Sequence, residues 1–199
     1  ALLNFADTLG DGPQKSRVRD GVRQILTFEL RITADAPNPF GYPRQYVTEL
    51  DGTRRPSFFI AQKNETGYWW QGENARLGSL ATAARWAARL FDAAFAQQLE
   101  DYATRCINWI LGLNPYDVCM LQGRGFNNAV YEEGAPGAPG GICNGITAGF
   151  TDPQDIDFNP EEPPEATTGN HRWRWGEQWI PHSGWYILAV AFENDPPSN

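Results

Sequence analysis

The residues best suited to chemistry lie near the end of the chain, at positions 170–182. This stretch holds three tryptophans, two arginines, both histidines of the protein and one carboxylate, Glu177. Indole faces offer flat apolar surfaces to sugar rings, and partial burial raises the pKa of a glutamate so that it holds a proton near neutrality. Glu177 could therefore act as a general acid on a glycosidic oxygen. The same residues also fit a tryptophan-rich corner of the core in which Glu177 pairs with Arg172 or Arg174.

Nine further residues are candidate sugar contacts, because they are aromatic or polar and lie in expected loops or near the ends of expected helices. They are Trp69, Trp70, Glu73, Asn74, Arg124, Asn127, Asn128, Trp175 and His182. For the tryptophans the alternative is core packing, and for the pair at 73–74 it is helix capping. For the histidine the alternative is a hydrogen-bonded position in the core.

Cofactor chemistry has little support in the sequence. The three cysteines are an odd number and lack the spacing of metal ligands, so we predict no zinc site and no disulfide framework. Asp152, Asp155 and Asp157 lie close together in a predicted loop. They could bind a structural calcium ion through oxygen ligands, recognise an amino sugar, or simply face solvent. We otherwise predict neither a metal nor a cofactor.

Charge and length exclude several classes of protein. The net charge of −8 argues against a surface for nucleic acid or anionic membrane, which would be basic. No apolar run approaches the roughly 18 residues that predict a membrane span. The 199 residues fit a single domain. The chain opens on what reads as the middle of a helix, so we expect a piece of a longer polypeptide, and its cellular location is not predicted.

Helices are the elements expected to position these residues. Apolar residues at a spacing of three to four predict helices at 16–33, 75–91, 94–111 and 178–193, with a short helical fragment at 1–9. Small residues in the second helix should allow close helix approach; they are Gly78, Ala81, Ala84 and Ala88. Two long segments, 34–57 and 116–170, lack helical periodicity and carry aromatic and polar residues. Because no strand-like alternation is evident, the predicted class is all-α.

Three segments occur in a fixed order along the chain. They are residues 67–74 (Gly-Tyr-Trp-Trp-Gln-Gly-Glu-Asn), residues 107–115 (Ile-Asn-Trp-Ile-Leu-Gly-Leu-Asn-Pro) with the glycine-containing 122–126 after them, and Glu177 with its following helix. Together they resemble family 9 glycoside hydrolases, in which the matching segments precede a barrel helix, end a helix and carry the catalytic acid. Residues 38–42 (Asn-Pro-Phe-Gly-Tyr) are similar to the branch with an immunoglobulin-like domain ahead of the catalytic domain.

This resemblance implies a fold and an activity. It implies that residues 1–199 form one partial catalytic domain, the C-terminal portion of an (α/α)6 barrel with long irregular active-site loops. It also implies a cellulase-like, inverting hydrolysis of β-1,4-linked glucan or glucosamine-type oligosaccharides, with Glu177 as general acid. The implied partners are a β-linked oligosaccharide or polysaccharide and the N-terminal half of the enzyme.

Two departures from the family pattern affect the function. Asn127, Asn128 and the glycine-rich residues 140–145 stand where the family has a His-His-Arg element that contacts sugar, so endo- and exo-acting enzymes on glucose or glucosamine units stay open. The family's base is an aspartate in an N-terminal motif, and no clear counterpart is present. Asp7 and Asp11 have a similar spacing without the surrounding Trp-His context. We therefore expect the base on a missing part of the polypeptide or on another chain.

The absent base keeps other functions open. A non-catalytic glycan-binding protein on the same scaffold is the main alternative. A helical sugar epimerase or lyase would need a histidine base, and His171 and His182 are the only histidines of the chain. That third hypothesis ranks last.

Overall fold

The computed structural model describes residues 2–60, 72–128, 137–149, 156–158 and 173–194. The helices of this part are α1 (Leu2–Thr8), α2 (Pro13–Ala34), α3 (Glu73–Ala88), α4 (Ala93–Leu111), α5 (Trp173–Gly176) and α6 (Ile180–Asn194). Its strands are β1 (Gln45–Thr48), β2 (Arg54–Ser57), β3 (Thr147–Ala148) and β4 (Ile156–Asp157).

The prediction of an all-α chain that supplies part of an (α/α)6 barrel is wrong. Strands β1 and β2 pair antiparallel, with Gln45 opposite Ser57, and β3 and β4 form a second antiparallel pair. The described residues therefore combine helices with two small sheets. Four-residue and two-residue strands are too short to show an alternating pattern, and β2 is polar and contains a proline. For these reasons the strands were not predicted.

The β1–β2 hairpin forms inside the segment that was expected to be an irregular loop. Its turn is closed by the amide of Gly52, which donates to the carbonyl of Glu49 at 3.0 Å, and by the Asp51 carboxylate, which accepts from the amide of Thr53 at 2.8 Å. Gly52 has a φ of 83°, a conformation that glycine adopts without steric cost. Local turn chemistry therefore creates the hairpin despite its weak strand pattern.

The longer predicted helices are confirmed, with shifted ends. Helix α2 starts at Pro13, three residues before the predicted start at Ser16, because proline is favoured at the first helical position. Asp92 caps α4 by accepting from the amide of Phe95 at 3.1 Å. Helix α4 ends at Leu111, the predicted end, and Gly112 caps it with a φ of 126°.

Helix α3 lies at the centre of the helical layer, with α4 on one side and α6 on the other. Its small residues permit this: Ala81 and Ala84 are fully buried. A Cβ at Gly78 would lie 2.9 Å from the Cβ of Trp185 and 3.0 Å from the amide nitrogen of Tyr186. The predicted close helix approach is thus found between α3 and α6.

A buried arginine connects α3 to both α4 and α6. Arg85 on α3, with 2% of its side chain exposed, pairs with Glu100 of α4 at 2.9 Å and with Glu193 of α6 at 3.1 Å. It also donates to the carbonyl of Ala189 at 2.8 Å. Because Glu100 and Glu193 both pair with it, the buried guanidinium is not left without a counter-charge, which would be strongly destabilising. In the described ranges, no helix has the length and apolar character needed to cross a membrane.

Candidate functional site

Glu177 follows α5 and is held by its main chain. Its amide donates to the carbonyl of Trp173 at 3.2 Å, and its carbonyl accepts from the amide of Asn144 at 2.8 Å. The residue itself is partly exposed. The backbone of Glu177 is therefore fixed on both sides, and part of the residue is exposed to solvent.

Two half-exposed indoles flank this carboxylate along the chain. Trp173 is 41% exposed and Trp179 is 49% exposed, whereas the candidate stacking residue Trp175 is 1% exposed. Residues two positions apart on a helix point to different sides, so Trp173 and Trp175 cannot both face solvent on α5. Of the three, Trp173 and Trp179 offer ring surface to a sugar and Trp175 packs in the core. Trp173 and Trp179 were not predicted as sugar contacts, although the sequence shows them on either side of Glu177.

The alternative role for Glu177, an ion pair with a neighbouring arginine, is not seen. None of the ion pairs between described residues involves Glu177. The guanidinium carbon of Arg174 lies 5.8 Å from the centroid of the Trp173 ring. Arg172 lies outside the described residues. Glu177 therefore forms no ion pair with Arg174.

Residues 142–145 form a loop, here called the clamp loop, that joins the Glu177 segment to the start of α3. The Asn144 side-chain amide donates to the carbonyl of Trp173 at 2.8 Å, and the amide of Gly145 donates to the carbonyl of Trp175 at 3.0 Å. On its other side, the carbonyl of Asn144 accepts from the amide of Asn74 at 3.0 Å. Through this loop the first turn of α3 positions Glu177.

Asn74, a candidate sugar contact, supports the clamp loop through hydrogen bonds. It is fully buried, and its side-chain amide donates to the carbonyl of Cys143 at 2.9 Å and to the sulfur of Met120 at 3.3 Å. A Cβ on Gly145, whose φ is 101°, would lie 2.7 Å from this amide. Asn74 therefore shapes the loop and does not face a ligand.

Glu73, the other candidate at the start of α3, belongs to a buried polar cluster. It is fully buried, and its Oε2 accepts from the hydroxyl of Tyr42 and from Nε of Arg76 at 2.9 Å. Arg76 also donates to the carbonyl of Pro43 at 3.1 Å. Burial raises the pKa of Tyr42 well above its usual value, so its hydroxyl keeps its proton and donates. Through these contacts Glu73 connects α3 to residues 35–44, here called the proline-rich loop, which join α2 to β1.

Gln178, next to Glu177, connects to two further loops. Its side-chain oxygen accepts from the amide of Ala138 at 2.8 Å, and its side-chain nitrogen donates to the Gln122 side chain. The hydroxyl of Ser183 also accepts from the amide of Ile142 at 3.3 Å. These contacts fix the chain on the C-terminal side of Glu177.

His182 lies fully buried at the start of α6. Its Nδ1 is 3.0 Å from the carbonyl oxygen of Trp179, which can only accept, so Nδ1 carries the proton. Its Nε2 is buried and has no hydrogen-bond partner among the described residues. Burial lowers the pKa of His182, and the charge of Glu177 acts in the opposite direction. The ring is thus close enough to Glu177 to be coupled to it electrostatically, but it is not a surface for sugar.

Two of the three candidates in the glycine-flanked loop, Asn127 and Asn128, hold its backbone in place. Asn127, with a φ of 47°, donates through its side-chain amide to the carbonyl of Asp117 at 2.8 Å. Asn128 donates to the carbonyl of Cys119 at 3.1 Å. Arg124 is exposed. This loop approaches Glu177 through the neighbouring contact between Gln122 and Gln178.

Several predicted residues lie outside the described part of the chain. They include the candidate platforms Trp69 and Trp70 and two of the three aspartates considered for calcium, Asp152 and Asp155. Among the residues that are described, no three His, Cys, Asp or Glu side chains are grouped so as to hold a metal ion. The calcium site remains a prediction.

Asp7 is too far from Glu177 to serve as its base. Its carboxylate accepts from the indole nitrogen of Trp86 at 2.8 Å, and Trp86 lies near the C-terminal end of α3. Asn74, which connects to Glu177 through the clamp loop, lies at the other end, about 18 Å away at a rise of about 1.5 Å per residue. An inverting pair of carboxyl groups is separated by roughly 6.5–9.5 Å. Asp11 pairs with Lys15 at 3.1 Å on the surface.

No protein-family model matches the chain, and no match is found among curated proteins. The interpretation of its activity therefore depends on the geometry around Glu177 and on the sequence motifs.

Proposed function

We propose that this chain bears the general acid of an inverting glycoside hydrolase for β-1,4-linked glucan or glucosamine-type oligosaccharides. The observation that carries the proposal is Glu177 itself. It is a partly exposed glutamate that forms no ion pair with a described residue, and its hydrogen-bonded main chain lies between two half-exposed indoles. A general acid needs such access to the leaving oxygen together with a fixed position.

The residues around Glu177 have distinct roles in the proposed reaction. Trp173 and Trp179 stack against sugar rings on either side of the scissile bond. Asn144 holds the main chain of Glu177 and, through its side chain, the carbonyl of Trp173. A fixed distance between platform and acid matters because displacement of a catalytic group by about 1 Å can cost on the order of 100-fold in rate.

The chemistry requires one more group. Glu177 gives its proton to the glycosidic oxygen as the bond from that oxygen to the anomeric carbon breaks. A base activates a water molecule that attacks the same carbon from the opposite face. Since Asp7 lies at the far end of α3, we propose that this base is outside the described residues or on another polypeptide.

Cleavage of cello- and chito-oligosaccharides by the 199-residue chain, with and without azide, tests the proposal. Azide is a nucleophile that needs no base, so it can replace activated water and yield a glycosyl azide of inverted configuration, which NMR identifies. We expect azide-dependent cleavage by the wild-type chain and loss of at least about 100-fold in Glu177→Gln. Glu193→Gln is the matched control, because it removes a carboxylate from α6 that only pairs with Arg85. Full activity in Glu177→Gln would refute the acid role.

The second candidate function is a non-catalytic glycan-binding protein. It is favoured by the lack of a base near Glu177 within the described residues. Oligosaccharide binding that quenches tryptophan fluorescence, without cleavage even in azide, would support this function and exclude the hydrolase.

A further inference from the structure

A cavity lies between the proline-rich loop after α2 and the β1–β2 hairpin. Its volume is about 390 Å³, within the size range of small-molecule sites. Aromatic side chains dominate its wall: Phe40, Tyr42, Phe58, Phe59 and Trp109. None of the residues that hydrogen-bond to the Glu177 main chain lines it, so a ligand here would occupy a place separate from the Glu177 site.

Two arginines make this apolar cavity cationic. Arg44 and Arg55 line it, and none of the acidic side chains in the described part of the chain does. Arg55 is paired with Glu49 at 2.6 Å. Arg44 donates to the main-chain carbonyls of Ile32 at 3.3 Å and Pro56 at 3.2 Å, but takes part in none of the ion pairs between described residues. Among the described residues, therefore, no acidic side chain pairs with Arg44, in a protein whose net charge is −8.

The hydrogen bonding of the two guanidinium groups is incomplete within the described residues. Nε of Arg44 and Nη2 of Arg55 are buried and have no hydrogen-bond partner in the described part of the chain. A buried donor without an acceptor is costly, and a guanidinium fork matches the two oxygens of a carboxylate. The Arg44 guanidinium carbon lies 5.3 Å from the Phe58 ring centroid, which holds the cation against the aromatic wall.

We propose that this cavity binds a small ligand that carries a carboxylate on a ring. The carboxylate faces Arg44, with Arg55 beside it, and the ring lies against the aromatic wall. An aromatic acid and a uronic acid share this chemistry: both have a ring with an apolar face and one negative charge.

Titration of the full chain with four probes tests the site and separates the two sources. The probes are benzoate and its neutral analogue benzamide, and glucuronate and its neutral analogue glucose, followed by saturation-transfer NMR. We expect at least one anion to bind 10-fold or more tightly than its neutral analogue, with affinity falling as salt is raised. Preference for benzoate identifies an aromatic acid, and preference for glucuronate identifies an acidic sugar.

Substitutions at two arginines, one inside the cavity and one outside it, show whether the ligand binds in the cavity. Arg44→Gln should weaken binding of the preferred anion at least 10-fold. Arg54→Gln should leave it unchanged, because Arg54 neighbours Arg55 on β2 but is exposed and outside the cavity. Equal affinity for anion and neutral analogue, no binding of either anion, or equal losses in the two variants would overturn the proposal. If Arg44→Gln does not fold, the comparison of charged with neutral probes on the wild-type chain decides.

Discussion

Around Glu177, the polar side chains hold main-chain groups in place and are not left free for a ligand. Asn74 and Asn144 both donate to carbonyl groups of neighbouring segments, and Gln178 joins two loops. Glu177 differs from them, because its main chain is fixed and its side chain is not. This contrast distinguishes a functional carboxylate from a structural one such as Glu73, which is fully buried and bonded to Tyr42 and Arg76.

His182 should make stability depend on pH. Its pKa is lowered by burial from a normal value of 6.5, so the unfolded chain binds a proton more readily than the folded one. Folding stability contributed by the neutral ring is present above pH 6.5 and is lost as the pH falls below that value towards the folded-state pKa. We expect the melting temperature of the wild type to fall relative to that of His182→Gln between pH 7.5 and 5.5. A constant difference between the two proteins would contradict the assignment.

Asn144 is the residue through which the clamp loop acts on α5. Asn144→Ala removes the hydrogen bond to the carbonyl of Trp173 and should lower the free energy of unfolding by about 1–3 kcal/mol. The amide of Gly145 should then exchange its hydrogen faster, because its bond to Trp175 depends on the same loop. Denaturant titration and hydrogen exchange measure the two effects. Gln97→Ala, which removes an exposed amide on α4, should change stability by less than about 0.5 kcal/mol.

At the scale of elements, the packing of α3 against α6 depends on a glycine that a helix would otherwise disfavour. Gly78 has a backbone neighbour, Tyr186, 3.0 Å from the position a Cβ would take. Gly21, in the middle of α2, has nothing within 4 Å of that position. The same substitution should therefore have opposite effects on the two helices.

Gly78→Ala should lower the free energy of unfolding by about 1 kcal/mol or more. Overpacking costs roughly 1–3 kcal/mol, and the better helix propensity of alanine recovers only part of it. Gly21→Ala should instead raise the free energy of unfolding by about 0.5–1 kcal/mol. Equal and positive effects in denaturant titrations would show that α3 and α6 are not in close contact at Gly78.

The helices could be predicted from the sequence because their signals are local. Apolar spacing marks α2 and α4, and the run of small residues in α3 predicts a close helix contact. The strands could not be predicted, since pairs of two to four residues carry too little pattern. The β1–β2 hairpin had a turn signal at Asp51 and Gly52, but its polar β2 strand concealed the pairing partner.

At the scale of the whole molecule, the site depends on contacts between distant parts of the chain. Glu177 was recognisable from its neighbours in sequence, but the exposure of Trp173 and the burial of Trp175 depend on packing against the clamp loop, about thirty residues away. The same long-range arrangement places Asp7 at the opposite end of α3 from Glu177. Sequence spacing alone could not reveal either fact.

The central claim is that Glu177 protonates the leaving oxygen, and the dependence of rate on the leaving group tests it most directly. A dinitrophenolate leaves without a proton, whereas a sugar hydroxyl does not. In the presence of azide, Glu177→Gln should cleave an unactivated cello-oligosaccharide at least about 100-fold more slowly than the wild type, yet cleave dinitrophenyl β-cellobioside at nearly the wild-type rate. Equal losses on both substrates, or no loss on either, would contradict the role of Glu177 as general acid.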